Sequence, residues 1–205
     1  MDRAYLKSKS KEQLRGRWPL AIITVIVSNF FINTASLSQG LNLIIDVSDK
    51  ITSTFNIISL IFGGVISVGL SKFLLNFTSY REEPSFKDIF SYFNIFFKSF
   101  GLQLLMTVII LFGCILFIVP GIILSLMYSQ AYYILAEDPT KGIFECLEES
   151  SKLMYGYKWE FFLLGLSFIG WWLLSALTFG IGSLWVQPYQ EVTSANFYLK
   201  LKYNI

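Results

Sequence analysis

The sequence predicts an all-α membrane protein: a polytopic helical bundle of six transmembrane helices, arranged as three hairpins with amphipathic interfacial helices on the cytoplasmic side. Of its 205 residues, 54% are hydrophobic, 18% are aromatic and only 15% are charged, whereas about a quarter of the residues of a soluble domain are charged. The mean hydropathy is +0.58. The apolar residues also form runs of about 20, the length that crosses a bilayer as a helix.

Several classes of function are excluded by what the sequence lacks. It has no His, which removes His-based metal sites, His general bases and Ser-His-Asp triads. A net charge of +2 gives no field that would attract nucleic acid. Cys114 lies in an apolar run and Cys146 in a charged segment, so we expect no disulfide, and neither belongs to a CxxC motif. No P-loop, GxSxG, HExxH or GxGxxG motif is present.

The predicted spans follow a basic arm at residues 1–17, within a single membrane domain of residues 1–205; they are approximately 18–37, 55–76, 100–119, 121–136, 161–179 and 182–199. The apolar run 100–136 is too long for one span, and Pro120 and Gly121 are expected to break it in the middle. Gly180 and Gly182 are expected to break the run 161–199 in the same way. The sixth helix is the least hydrophobic, so it either spans the bilayer or lies at the interface.

The distribution of basic residues predicts the orientation of the chain. With the N-terminus inside the cell, 15 of the 16 Lys and Arg residues lie on the cytoplasmic side, and only Lys50 lies outside. Cytoplasmic loops carry this excess in multi-pass proteins. We therefore expect both termini in the cytoplasm, with the chain in the plasma membrane.

The three cytoplasmic segments, 1–17, 77–99 and 137–160, resemble one another. Leu14-Arg-Gly16-Arg-Trp18 precedes the first span and Leu153-Met-Tyr-Gly156-Tyr-Lys-Trp159 the fifth, while apolar residues at helical spacing occupy 89–97. One interpretation is a threefold repeat, in which each unit is an interfacial helix followed by a helical hairpin. The other is that membrane boundaries select similar aromatic and basic residues without a repeat.

Further along the chain, short motifs resemble a bacterial membrane-protein family, domain-of-unknown-function family 975. They are Val119-Pro120-Gly121-Ile122-Ile123-Leu124, Tyr128-Ser129, Ala136-Glu137-Asp138-Pro139, Gly142, Glu145-Cys146-Leu147-Glu148-Glu149-Ser150, Leu153-Met154-Tyr155-Gly156, Gly180-Ile181-Gly182 and Pro188-Tyr189. The chain is more remotely similar to the membrane domain attached to some glycerophosphodiester phosphodiesterases. The resemblance implies a six-helix integral membrane protein and supplies no reaction and no catalytic residue.

Glu191 is the only ionisable residue plainly inside a predicted span, roughly 12 Å from its cytoplasmic end. Gln187, Glu191, Ser194 and Tyr198 share one helix face, and we expect Pro188 to loosen the backbone beside them. Ionisable groups within a bilayer indicate function by default. The face is either a polar groove for a headgroup, an ion or a partner helix, or a structural set of bonds to groups such as Gln103, Gln130 or Tyr132.

The remaining polar candidates are cytoplasmic. Glu137 and Asp138 follow the fourth span, and Asp138 is placed to cap a helix that starts near Thr140. Glu145, Glu148 and Glu149 are spaced to pair with Lys141 and Lys152 on a solvated face, with a two-carboxylate metal site as the alternative. Trp171 and Trp172 lie at mid-span, where we expect packing against Gly63, Gly64 and Gly69 or contact with a lipid.

With no catalytic motif and small soluble loops, the leading hypothesis is a non-enzymatic accessory or scaffold protein without a cofactor. It would bind the bilayer lipid and a membrane-protein partner or a second copy of itself, and no nucleic acid. The alternative is a small transporter or exporter of lipids or peptides, which confers tolerance to membrane-active compounds and uses Glu191 and the helix breakers. An intramembrane enzyme is the third reading, and no nucleophile-base pair supports it.

Overall fold

The computed structural model describes residues 2–32, 49–79 and 82–203, and over these residues the chain is helical without a β-strand. The all-α class is therefore confirmed. The α-helices are, in order, α1 (Arg3–Leu14), α2 (Trp18–Ile32), α3 (Asp49–Ser79), α4 (Phe96–Leu116), α5 (Ile118–Tyr128), α6 (Ala131–Glu137), α7 (Ile143–Leu153), α8 (Lys158–Leu166), α9 (Ile169–Leu177) and α10 (Ser183–Tyr203). Two 3₁₀ helices, Phe86–Phe90 and Phe93–Ile95, lead into α4.

Four helical stretches in the described part of the chain are long and apolar enough to cross a membrane. They are Lys50–Ser79, Phe86–Leu116, Ile118–Glu137 and Lys158–Leu177. The helix α2 is apolar but has only 15 residues, and the rest of the predicted first span lies outside the described residues. Large apolar side chains are exposed at the ends of these stretches, as at Phe117 and Phe179. Such surfaces are stable in lipid rather than in water.

The helix α10 runs through the protein rather than along its surface. It packs against α1, α2, α3 and α9, and it is buried on all sides at the four consecutive residues Ala195, Asn196, Phe197 and Tyr198. A helix enclosed by other helices does not need an apolar outer face. This position explains why the sixth predicted span is the least hydrophobic.

The polar residues of α10 are matched by polar residues of α1. The amide of Asn196 donates to Ser10 Oγ at 3.0 Å and to Gln13 Oε1 at 2.6 Å. Gln13 in turn donates to the carbonyl of Thr78 at the end of α3. All four side chains are buried, so α1 is bonded into the bundle and does not rest only on a membrane surface.

The segments predicted to be cytoplasmic have two different structures. The turns between α1 and α2 and between α7 and α8 each contain a glycine in the left-handed region, Gly16 at φ +80° and Gly156 at φ +82°. Residues 89–97, predicted as an amphipathic α-helix, instead form the two 3₁₀ helices and the start of α4. The reason is tertiary: a capping box of Ser85 and Asp88 starts the segment, which packs closely on α3.

The break between the third and fourth predicted spans lies at Phe117, not at Pro120 and Gly121. Phe117 is extended at φ −162°, ψ 151°, while Pro120 and Gly121 lie in the first turn of α5. Proline is tolerated there because the first N–H groups of a helix have no partner within it. Gly121 has a packing role instead, since a Cβ at this position would lie 2.1 Å from Cys114 Sγ on α4.

The turn at Gly180 and Gly182 is confirmed. It covers residues 178–182, and Gly180 has φ +85° and donates to the carbonyl of Ser175 at 2.9 Å. Pro188, predicted as a breaker, does not interrupt α10, which is continuous from Ser183 to Tyr203. Pro188 is buried, and packing on several sides stabilises the helix more than one missing hydrogen bond destabilises it.

Candidate functional site

The candidate site is a polar cavity of about 300 Å³ inside the bundle, between α2, α3, α6, α8 and α10. Glu191 of α10 lines it and is partly buried. The remaining polar lining comes from Asn29, Ser67, Ser71, Ser129, Tyr132, Tyr133 and Ser194, and the apolar lining from Ile32, Leu70, Leu74 and Phe161. The site is thus assembled from helices that are far apart in the sequence.

Three serine hydroxyl groups of this cavity donate their protons to helix carbonyls. Ser71 donates to the carbonyl of Ser67 at 2.9 Å, Ser194 to that of Gln190 at 3.0 Å and Ser129 to that of Leu126 at 2.8 Å. A hydroxyl has one proton and two lone pairs. Because each proton is already donated to a helix carbonyl, these side chains present oxygen lone pairs to the cavity.

Glu191 adds a carboxyl group to this lining. Among the described residues, none forms a hydrogen bond or an ion pair with its carboxylate, and no Lys or Arg lines the cavity. Burial of a carboxylate without a partner has a high free-energy cost. The cavity is therefore complementary to a ligand that brings positive charge and hydrogen-bond donors.

The structure divides the predicted polar face of α10. Glu191 and Ser194 line the cavity, and Gln187 lies just beyond it, accepting a bond of 3.3 Å from Asn29. Tyr198 lies outside the cavity, because the helix face from Gln187 to Tyr198 is roughly 16 Å long and extends past the cavity. Its ring stacks on that of Tyr133 at 5.2 Å.

Of the three residues expected as partners of Glu191, only Tyr132 lines the cavity. Gln103 instead donates to the carbonyl of Ser59, and Gln130 to Ser129. The serines of α3 were missed by the sequence analysis. The spacing of Ser67 and Ser71, one helical turn apart within an apolar span, is the signal that could have identified them.

Tyr198 leads from the cavity to a group of charges that we name the charge cluster: Glu137, Lys141, Glu149 and Lys202. Tyr198 donates to Glu137 at 2.7 Å, and Lys202 pairs with Glu137 at 2.8 Å and with Glu149 at 3.1 Å. Lys141 also pairs with Glu149, and Tyr203 donates to Glu137. The cluster joins the ends of α6 and α10 to α7, so Glu137 has a structural role.

The protonation equilibria of the charge cluster favour its ion pairs. Burial raises the pKa of Glu149, but the hydrogen bonds from Lys141 and Lys202 outweigh it and hold this pKa below its ordinary value. Burial favours the neutral form of Lys202, but the hydrogen bonds of its ammonium group to Glu137 and Glu149 have the larger effect. The pKa of Lys202 is therefore raised above its ordinary value. Both groups are therefore charged over a widened pH range.

Asp138 does not cap α7 as predicted. Its carboxylate accepts hydrogen bonds from the hydroxyl group of Thr140 and, at 3.0 Å, from the backbone N–H of the same residue. These two bonds lower the pKa of Asp138. The helix starts later, at Ile143, where Glu145 accepts from the N–H of Gly142 at 2.8 Å.

The predicted pairing of Glu148 with Lys152 is confirmed at 2.6 Å. No group of three or more Cys, Asp or Glu among the described residues could hold a metal ion.

The tryptophan pair does not pack on the glycines of α3. Gly63 and Gly64 approach Gln103 and Ser99 of α4, and Gly69 approaches Ile89. Trp171 and Trp172 are 44% and 37% exposed, and Trp172 donates to Gln190 at 2.9 Å. Both cysteines are free in this structure, Cys114 exposed and Cys146 buried.

These features define an all-helical protein whose apolar helices suit a membrane and whose helices surround a polar cavity lined by Glu191. The profile of the family described as "Protein of unknown function (DUF975)" matches residues 1–125 and 115–204. The chain belongs to this family. It matches no curated protein and no solved structure, so the remote likeness to glycerophosphodiester phosphodiesterase membrane domains stays an expectation.

Proposed function

We propose that this protein is a multi-pass protein of the bacterial plasma membrane, with six spans in three hairpins and both termini in the cytoplasm. The four apolar helical stretches and the distribution of Lys and Arg support this topology. The packing of α10 inside the bundle supports the sixth span, since its polar residues are bonded to α1 rather than exposed to lipid.

Within this topology the protein is non-enzymatic and binds a small organic cation, as a transporter or receptor of such a solute would. The observation that carries this function is the unpartnered carboxylate of Glu191 in an acceptor-lined cavity of about 300 Å³. The volume suits an ammonium or guanidinium compound of modest size. Tyr132 and Tyr133 line the same cavity, and aromatic side chains are compatible with a bound cation.

The role of Glu191 follows from electrostatics. In a site of low dielectric constant, a charge-assisted hydrogen bond between a carboxylate and an ammonium group is stronger than its equivalent in water. The serine and amide oxygens replace the water that the cation loses on entry. No covalent step is required, so binding and release, with or without passage across the membrane, make up the whole activity.

We expect Glu191→Gln to weaken cation binding by about 10- to 100-fold, because it removes one charge-assisted bond. The measurement is calorimetric titration of the full chain in nanodiscs with methylammonium and guanidinium chloride as probes. Glu148→Gln, which makes the same change at an exposed site on α7, serves as the control and should bind like the native protein.

The function is wrong if the native chain binds neither probe, or if Glu191→Gln binds both as well as the native chain does. Uptake of radiolabelled methylammonium into proteoliposomes then separates a transporter, which accumulates the probe in the lumen, from a receptor, which only binds it.

A second candidate function is the accessory or scaffold role, favoured by aromatic side chains exposed on the cytoplasmic segments. Phe97 is 87% exposed, Phe144 77% and Tyr155 81%. Exposed aromatic residues of this kind are typical of interface contacts. We expect a stoichiometric membrane-protein partner or a second copy of the chain to co-purify in mild detergent, and to be lost in the variant Phe144→Ser/Tyr155→Ser. A native chain that purifies alone and monomeric would contradict this role.

A further inference from the structure

A second cavity, of about 370 Å³, lies between α1, the start of α2, α9 and the start of α10. We name it the basic-aromatic pocket. It combines two cationic side chains with aromatic ones, and its lining is Lys11, Arg15, Trp18, Trp171, Trp185, Val186 and Tyr189. The Glu191 cavity has a different lining, and none of its residues is shared with this pocket.

The two cations of the basic-aromatic pocket have no acidic partner. Within the described ranges, no carboxylate pairs with Lys11 or Arg15. The ammonium group of Lys11 lies instead over two rings, 5.5 Å from the centre of Trp171 and 5.7 Å from that of Tyr189. Arg15 adds a second positive charge to the same lining. Positive charge is therefore concentrated here, and an anion would reduce its repulsion.

The rest of the pocket is apolar and open. Trp171 is 44% exposed and Trp185 is 49% exposed, while Val186 and Tyr189 close the base of the pocket. Exposed indole rings next to unpaired cations match a ligand with an anionic end and a hydrocarbon end. Clusters of basic side chains bind the headgroups of anionic lipids.

We propose that the basic-aromatic pocket binds one anionic phospholipid, with its phosphate between Lys11 and Arg15 and its acyl chain along Trp171 and Trp185. A soluble anion would leave the indole rings uncovered, and a zwitterionic lipid would not neutralise the two cations. This inference gives the accessory role a specific lipid. It does not depend on the Glu191 cavity, and the variants that test the two sites are different.

The test uses the tryptophans of the pocket, which are three of the five in the chain. The full chain is placed in phosphatidylcholine nanodiscs that contain a small fraction of phosphatidylglycerol with brominated acyl chains, which quench tryptophan fluorescence on contact. The reference discs contain the same fraction of brominated phosphatidylcholine. We expect stronger quenching by phosphatidylglycerol.

The variant Lys11→Gln/Arg15→Gln should lose this excess quenching, because removing two cations near the surface lowers the preference for an anionic lipid by roughly 10- to 30-fold. Arg3→Gln/Lys9→Gln makes the same change in net charge on the same helix and should keep the excess. Equal quenching of the native chain by both lipids would overturn the proposal. The proposal would also be overturned if the stronger quenching by phosphatidylglycerol survives in Lys11→Gln/Arg15→Gln. Equal loss of that stronger quenching in the control variant would overturn it as well.

A second measurement needs no variant. In native mass spectrometry of the unmodified chain with equal amounts of the two lipids, one phosphatidylglycerol should stay bound as detergent is removed. Equal retention of the two lipids, or a protein chain bound in place of lipid, would contradict the proposal.

Discussion

Gly69→Ala is expected to destabilise the protein by about 3 kcal/mol, as severe overpacking does. A Cβ at residue 69 would lie 2.0 Å from the carbonyl oxygen of Ile89, and the obstacle is backbone. Ile89 is fully buried, and the capping box of Ser85 and Asp88 holds its segment in place. The preference of helices for alanine over glycine, about 1 kcal/mol, is too small to compensate. The measurement is the midpoint of thermal unfolding in detergent, followed by tryptophan fluorescence.

Gly165→Ala in α8 is the matched control for this substitution. Nothing lies within 4 Å of a Cβ at that position, so this variant should be neutral or slightly more stable. If Gly69→Ala unfolds at the same temperature as Gly165→Ala, the 3₁₀ segment does not pack on α3 as described here.

Lys202→Met is expected to cost about 2 to 3 kcal/mol of unfolding free energy. The ammonium group bonds both Glu137 and Glu149, and the three side chains are only 11–28% exposed. Removing one member of a largely buried pair leaves a carboxylate without compensation. The matched control is Lys152→Met, because the Lys152–Glu148 pair is 73% and 66% exposed and should contribute at most about 1 kcal/mol. Equal losses in the two variants would contradict a stabilising charge cluster.

The pH dependence provides a second readout of the charge cluster. The pKa of Glu149 is lowered on folding, so its contribution to stability is full above the ordinary value of 4.5 and is lost as the pH falls through the lowered pKa. The pKa of Lys202 is raised, so its contribution is full below 10.5 and is lost as the pH rises through the raised value. In Lys202→Met, unfolding should depend less on pH at both limits than in the native chain.

Local features of the sequence predicted local features of the structure. The left-handed turn at Gly180 was found from its glycines, because no other residue adopts that conformation at so small a cost. The pair of Glu148 and Lys152 was found from its spacing, since residues four apart are neighbours on any helix. The same reasoning failed at Pro120, where it treated proline as a breaker although the first turn of a helix accepts it.

The candidate site was only partly predictable for a related reason. Glu191 was identified because an ionisable residue in an apolar run is conspicuous in any sequence. Its neighbours Ser67 and Ser71 were not, since serine is common in membrane helices and bonds to the helix carbonyls behind it. Only the packing of α3 against α10 makes them part of a cavity.

The sequence by itself determined the all-helical class, the apolar stretches suited to a membrane, the acidic residue Glu191 among them and the family, because each depends on composition or on spacing within one segment. The tertiary structure alone decided which helix lies inside the bundle, which side chains share the Glu191 cavity, and that Lys11 and Arg15 meet the rings of Trp171 and Trp185. These are contacts between distant segments, such as Ser10 and Asn196, which are 186 residues apart, and local pattern holds no information about which distant faces meet.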